Sequence, residues 1–416
     1  MTPQPAISVD DRCPSCSAPI PVDPRFVTWC PECDWNADPE AGPPVTPTSW
    51  RAKRAARRWE RHVAAERAAA ERLYTEALRE TNPYRRRDGF WPVAMAVAGM
   101  VHLITAAVAV GSGWLLVVGP LPVKAVGVAG LVAALFSLPR PYRVRPDEWS
   151  PSRTEAPHLY GLADRIAAEL GVAPVGIIRF VPALNASFDR VGFRRRGVLN
   201  VSLPLWEVLA PQERVALFGH ELGHAVRGDI RRSLWFVSAY EAVYRWYGFT
   251  DPSTRALLTV PHLLTKLLLL MLYRPVERVS QRAEYRADDL SVKVASSAAA
   301  LSLMGISTLG ADMAALLRRR TAGFDPEEGA ALWRELRECV ASVPESERLR
   351  RLRVSALRPP SEFSFYPPVH LRVRLAGERG VERGSVDFPE REVAAVEAEL
   401  AAVRDRMAQA VLTVEL

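Results

Sequence analysis

Residues 220–224 read His220-Glu221-Leu222-Gly223-His224, and the spacing of the two histidines decides how the chain must fold around them. On a helix, positions i and i+4 lie one turn apart on one face. Both imidazoles can then reach one Zn²⁺, and the intervening glutamate can poise a water on that metal. The chain has only 7 His in 416 residues, so the pattern arises by chance in roughly one such chain in a hundred. Pro211 suits the first turn of the helix that carries it. Two histidines leave a catalytic zinc one protein ligand short, with the fourth position reserved for water. No His follows within a short distance, so a carboxylate from another helix is the candidate. Residues 280–288 read Ser-Gln-Arg-Ala-Glu284-Tyr-Arg-Ala-Asp288. On a helix Glu284 and Asp288 share a face, so Glu284 can ligate while Asp288 holds a ligating His through a hydrogen bond.

A second metal pattern lies at the other end of the chain. Cys13-Pro-Ser-Cys16 and Cys30-Pro-Glu-Cys33 are two chelating pairs, and together they predict a Cys₄ zinc ribbon over residues 1–40. Four protein ligands leave no place for water, so this zinc is expected to be structural. Two local disulfides are the competing reading, disfavoured because CxxC is poor disulfide geometry. With Cys339 standing alone, the usage suits a reducing compartment. Trp29 and Trp35 are either a contact face of the ribbon or its small core. A protein or a nucleic acid is the partner such a ribbon suggests.

Residues 41–88 form a Pro-rich linker and a polar basic helix, Trp50 to Glu80, expected to stand solvated. Residues 89–140 predict a transmembrane helical hairpin. No charged residue falls between Phe90 and Val118, and a second apolar stretch runs from Val123 to Leu138. The turn is either Gly119-Pro120-Leu121-Pro122 or the Gly111 to Gly113 stretch. Arg85, Arg86 and Arg87 precede the hairpin and Arg140, Arg143 and Arg145 follow it, with Lys124 alone between. The positive-inside rule therefore puts both ends, and the catalytic domain, on the cytoplasmic side of the cell membrane. Met1 to Asp11 is polar and Pro-rich, unlike a signal peptide. The net charge of +7 fits an anionic membrane surface or nucleic acid.

Residues 141–416 have ordinary globular composition. Helix is expected over 158–170, strand over 172–188 and 198–203, and an amphipathic helix over 390–410. Leu234 to Phe249 and Ala256 to Tyr273 are apolar but interrupted, which suits either spanning helices or helices lying on the bilayer. The fold expected is mainly α with a small β-sheet, a zincin-type metallopeptidase domain joined to the hairpin and the ribbon.

The motif HELGHxxxGD followed by ExxAD resembles the membrane zinc metallopeptidases that include the HtpX and CAAX prenyl protease type 1 proteins. The likeness extends through most of residues 150–380. It includes Glu155-Ala-Pro-His-Leu, Leu184-Asn185-Ala186, Leu209-Ala-Pro-Gln-Glu-Arg and Gly228-Asp229. The resemblance implies that His220, His224 and Glu284 bind zinc and that Glu221 is the catalytic base. It also implies that Asp288 and Asp229 lie behind the ligands, and that Asn185 and Ala186 adjoin an edge strand that pairs with substrate. The family's late His-Pro-Pro is replaced by Tyr366-Pro367-Pro368, with Arg372 at the family's arginine position. A phenol can donate the hydrogen bond the imidazole would, or the exchange lowers activity or alters substrate choice. Ala283 also stands where many relatives are basic. The expected activity is that of a zinc endopeptidase acting on membrane or cytosolic polypeptides, with Tyr366 and Arg372 as oxyanion or substrate contacts. The competing reading is a membrane adaptor built on the ribbon, with the HELGH zinc structural.

Overall fold

The structure, a computed structural model, describes residues 12–41, 48–80, 91–138, 144–192, 196–226, 234–252, 258–321, 329–358 and 365–413. Helix α1 (Trp50–Arg79) starts at Ser49, whose hydroxyl accepts from the Ala52 amide at 3.1 Å. Its first half is solvated, as expected, but its last turns are not. Leu73 and Tyr74 are buried against Tyr285, Leu371 and Leu375, and Arg379 donates to the carbonyls of Ala77, Leu78 and Glu80. Those carbonyls lie at the end of the helix, where the regular ladder runs out and, among the described residues, only the Glu80 amide caps Ala77 from within the segment, so a guanidinium there fixes the helix end.

Helices α2 (Trp91–Val118) and α3 (Leu121–Ser137) follow. The break falls at Gly119-Pro120, and Gly111 to Gly113 lie within α2. Small residues set the approach of α3 to α2: a Cβ on Gly127 would lie 2.8 Å from the Ser112 carbonyl, and one on Gly130 would strike the Ser112 hydroxyl. Among the described residues one helix, Pro92–Val118, is long and apolar enough to cross a membrane; α3 is shorter. Its outward side chains stay uncovered, with Leu103 72 %, Val110 74 % and Val117 78 % exposed. An uncovered apolar band of that extent is what a lipid or protein partner would bury.

The half of the chain that carries the two histidines is built around a small sheet. Helix α4 (Pro157–Glu169) precedes strands β1 (Ile177–Val181), β2 (Ser187–Val191) and β3 (Arg196–Ser202). Their order is β1-β3-β2, with β1 and β3 parallel and β2 antiparallel to β3. The single strand expected over 172–188 is therefore two strands. Pro182 cannot donate to a ladder, and the chain turns there before re-entering the sheet at its edge. Ile178, Phe180, Phe188, Leu199 and Val201 point inward and pack with Leu159, Leu162 and Ile166 of α4.

Helices α5 (Leu203–Val208) and α6 (Pro211–Gly223) lead from the sheet, followed by α7 (Leu234–Phe249) and α8 (Thr259–Ala295). The apolar piece expected at 256–273 and the helix expected around 280–288 are one helix of 37 residues, about 55 Å long at 1.5 Å per residue. Its first half packs with α2 and α7 through Ala94, Ala98, Phe236, Ala239, Leu272 and Val279. Its second half enters the main core at Leu290 and Val294. Helices α9 (Ser297–Ser307), α10 (Gly310–Thr321), α11 (Gly329–Ala341), α12 (Glu345–Leu357) and α13 (Val369–Glu378) wrap that core. The helix expected over 390–410 is two, α14 (Glu390–Glu399) and α15 (Ala401–Thr413). Val396, Leu400 and Val403 are buried across the break, so the apolar stripe continues although the helix does not.

The cysteine-rich segment is docked rather than pendant. The Trp29 indole, 1 % exposed, donates to the Ser346 carbonyl at 3.2 Å. Arg350 donates to the Ala37 carbonyl at 2.7 Å, and Arg358 forks onto Asp38 with two 2.7 Å bonds. Helix α12 is thus the seat of the N-terminal module. Trp29 is part of that seat, while Trp35 is 38 % exposed.

Candidate metal centre

The two histidines meet the carboxylate because α6 lies unusually close to α8. Gly219 and Gly223 flank His220 on the face of α6 turned toward α8. A Cβ at Gly219 would come within 2.3 Å of Val294 Cγ2, and one at Gly223 within 3.1 Å of the Ala287 Cα. Ser291 ties the crossing from inside, donating to the Ala216 carbonyl at 2.7 Å. The outcome is a triad. His220 Nε2 lies 3.4 Å from Glu284 Oε2, and His224 Nε2 lies 3.5 Å from Glu284 Oε1. One ligand atom from each of the three residues can be chosen so that all lie within 4.8 Å of one another.

These spacings test whether the residues fit a metal. Both are longer than an ordinary N–H···O bond of about 2.7–3.2 Å. They match the edge of a tetrahedron, about 3.4 Å, that zinc bonds of roughly 2.0–2.1 Å would set between ligands. Two imidazoles and one carboxylate are also a donor set zinc takes with a position left over for water. The residues therefore fit zinc.

Behind the triad stands a chain of polar contacts. Asp288, 1 % exposed, lies with Oδ1 3.0 Å from His220 Nδ1. With Nδ1–H donating to that carboxylate, the Nε2 lone pair of His220 is turned toward Glu284 and the shared centre. Arg372 grips Asp288 from the other side, donating from Nε and Nη2 in two 2.7 Å bonds. This alters the expectation for Arg372: two of its donors are spent on Asp288, so it holds the partner of His220 in place. Asp288 remains ionised below the usual carboxylate range. Burial opposes this, and the charge and hydrogen bonds of Arg372, with His220, outweigh it. Glu284 is likewise held well below its ordinary value against burial, by His220, His224 and Arg372. Burial would lower the His220 pKa, but its contacts with Asp288 and Glu284 push it up to about 10. The carboxylates of Asp288 and Glu284 thus set negative charge against His220, which a dication at the centre would also meet.

Glu221 is buried on α6 beside the triad and faces a cleft of about 380 Å³. Asn185, Ala186, Ser187 and Asp189 line it together with the apolar Leu205, Leu217, Leu303 and Met304, and with Tyr366 and Arg372. Tyr366 is 54 % exposed. Of the residues singled out from sequence, His220, Glu221, His224, Glu284, Asp288, Asn185, Ala186, Tyr366 and Arg372 thus converge on one cleft. Asp229 lies outside the described residues, as do Arg85, Arg86, Arg87, Arg140 and Arg143. Ala283 is buried. Sequence reasoning missed Met304 and Leu303, because α9 carries no motif, and Ser187 and Asp189 on β2. The alternation of polar Ser187 and Asp189 around buried Phe188 was the available signal.

The cysteines form a second candidate centre. Cys13 and Cys33 lie Sγ to Sγ at 3.5 Å and Cys16 and Cys30 at 3.6 Å, near the edge of about 3.8 Å that Zn–S bonds of about 2.3 Å imply. All four thiols are free, and their sulfurs lie within 4.8 Å of one another. Burial would raise the Cys13 thiol. Hydrogen bonds from the backbone of Cys16 and Ser15 outweigh it and bring the thiol down to about 7, while the Cys16 thiol, against a backbone hydrogen bond from Ala18, is pushed up to about 12 by burial and the neighbouring cysteines.

No curated protein and no solved structure matches the chain. Residues 159–356 match the model of Peptidase family M48, and this segment spans the helix with His220, Glu221 and His224 and the helix with Glu284. That match supports placing the chain among the M48 metallopeptidases, whose members are zinc-dependent.

Proposed function

We propose that this chain is a membrane-anchored zinc endopeptidase of the HtpX and CAAX prenyl protease type 1 kind, acting on membrane or cytosolic polypeptides. The observation that carries the reading is the geometry of three ligands, not four, opening on a cleft with a fourth titratable group, Glu221, beside them. A structural site would need a further protein ligand, and among the described residues no fourth His, Cys, Asp or Glu joins that group.

When bound, zinc would polarise the scissile carbonyl and make a water in the cleft more acidic. The chain's own residues do the rest. Glu221 takes the proton from the attacking water and delivers it to the departing amine. Asp288 and Arg372 keep His220 in the tautomer and orientation that ligation needs. The substrate lies extended against β2 near Asn185 and Ala186, adding a strand to the sheet. Tyr366 offers a phenolic donor on the cleft, where the family has histidine. The wall of leucines and Met304 excludes water from the substrate side chain it receives.

The same reading assigns the Cys₄ cluster a structural zinc that keeps the N-terminal module seated on α12. It places α2 and α3 across a membrane as a hairpin, with both ends on the cytoplasmic side. The uncovered apolar band on α2 and the arginines read at the hairpin ends support this. The docked module then stands as a recruiter of a protein or nucleic-acid partner. Replacing Glu221 with Gln tests the core of the proposal. Zinc content should persist and peptide cleavage should vanish, whereas a variant that cleaves at the original rate would refute the mechanism.

A further inference from the structure

We infer that Asp189 sets the substrate preference of the cleft, selecting polypeptides that carry an arginine or lysine about three residues to one side of the bond held at the metal centre. The inference rests on reading the cleft as a peptide site. Strand β2 is an edge of the sheet in the order β1-β3-β2, so an extended peptide can pair with it and present alternate side chains to the same face. Asp189 lies three residues beyond Ala186, and both line the cleft. Three strand residues span about 10 Å, so a peptide whose reacting bond lies across from Ala186 would meet the carboxylate about three residues along.

Three observations single this carboxylate out. It is the one acidic group on the cleft, among the described residues, that the metal centre does not use. It is exposed yet fixed: Oδ2 accepts from the Ser187 hydroxyl at 2.9 Å and from the Asn200 amide at 3.1 Å, while Asn200 also donates to Ser187 at 3.1 Å. Both bonds fall on one oxygen, so among the described residues the other keeps its acceptor capacity, and a held carboxylate loses little freedom when a guanidinium meets it. Among the described residues, the two basic side chains that flank it on the hairpin do not neutralise its charge. Arg190 is turned to the Ala225 carbonyl at 3.4 Å and Arg196 to the Gly176 carbonyl at 3.0 Å. Arg372, the basic residue on the same cleft, is clamped on Asp288. The leucines and Met304 that line the same cleft are apolar. A peptide with an apolar residue near the scissile bond and a cation farther along matches both surfaces.

The test uses full-length Glu221→Gln protein in detergent micelles, so that no probe is consumed. Fluorescein-labelled ten-residue peptides carry an apolar centre with Arg, Gln or Glu three positions to either side, and binding is read by fluorescence anisotropy. On one of the two sides the Arg peptide should bind about tenfold more tightly than the Gln peptide, and the Glu peptide more weakly still, with the spread shrinking as salt rises. Adding Asp189→Asn should bring the Arg-to-Gln ratio close to one, and Asp189→Lys should turn the preference toward Glu. Equal binding of the Arg and Gln peptides, absence of binding, or a ratio that neither substitution moves would overturn the inference. Cleavage by the protein with Glu221 intact is scored separately. An Asp189-dependent ratio without cleavage sinks the peptidase reading alone; cleavage without charge preference sinks this inference alone.

Discussion

The cysteine cluster and the histidine cluster gather metal donors by opposite means. Cys13, Cys16, Cys30 and Cys33 come from one short segment and surround their centre with four sulfurs. His220, His224 and Glu284 come from two helices far apart in the chain, and they offer three donors and an open side. The first needs little beyond two tight turns. The second needs a close helix crossing at Gly219 and Gly223 and a buried clamp of Asp288 and Arg372. A closed set of ligands holds a segment together, while an incomplete set, backed by rigid neighbours, leaves room for chemistry.

The sharpest way to break this comparison is to remove the chemistry while keeping the metal. Glu221→Gln should lower peptide cleavage by about a thousandfold, the scale of a general base, with zinc content by elemental analysis unchanged. Loss of zinc together with activity would mean that Glu221 holds the site instead of using it. Asp288→Asn should come next, weakening zinc at the histidine centre by about 10–100-fold in competition with a chelating dye, while the cysteine centre keeps its metal. Gly219→Ala forces α6 away from Val294, and overpacking of that kind costs about 1–3 kcal/mol, measurable as a lowered denaturation midpoint. A substitution of similar size in the cysteine segment should not disturb the histidine centre. The smallest effect is expected from Arg372→Lys. It keeps the charge but loses the fork, so zinc affinity should fall roughly severalfold, less than for Asp288→Asn. An equal or larger fall would move Arg372 from clamp to direct participant.

Much of the histidine site was legible before any fold was known. The i, i+4 spacing of His220 and His224 and of Glu284 and Asp288 puts each pair on one face of its helix. The CxxC pairs were legible for the same reason, since a turn of that length has few geometries. Other parts misled. The apolar pattern ran across Leu400 although the helix breaks there, because burial on both sides continues the stripe. Residues 259–295 read as two pieces because charges interrupt the apolar run, yet one helix carries both halves. The last turns of α1 read as solvated because their packing partners, Tyr285, Leu371 and Leu375, lie far along the chain.

The sequence by itself determined which donors can converge within one helix or one turn, since helix rise and turn geometry are the same in every protein. Only the tertiary structure decided that α6 crosses α8, that Arg372 clamps Asp288, that the cysteine segment sits on α12 and that Asp189 faces the cleft. Those outcomes depend on complementary volumes and buried charges brought together from distant positions, and no local period records them.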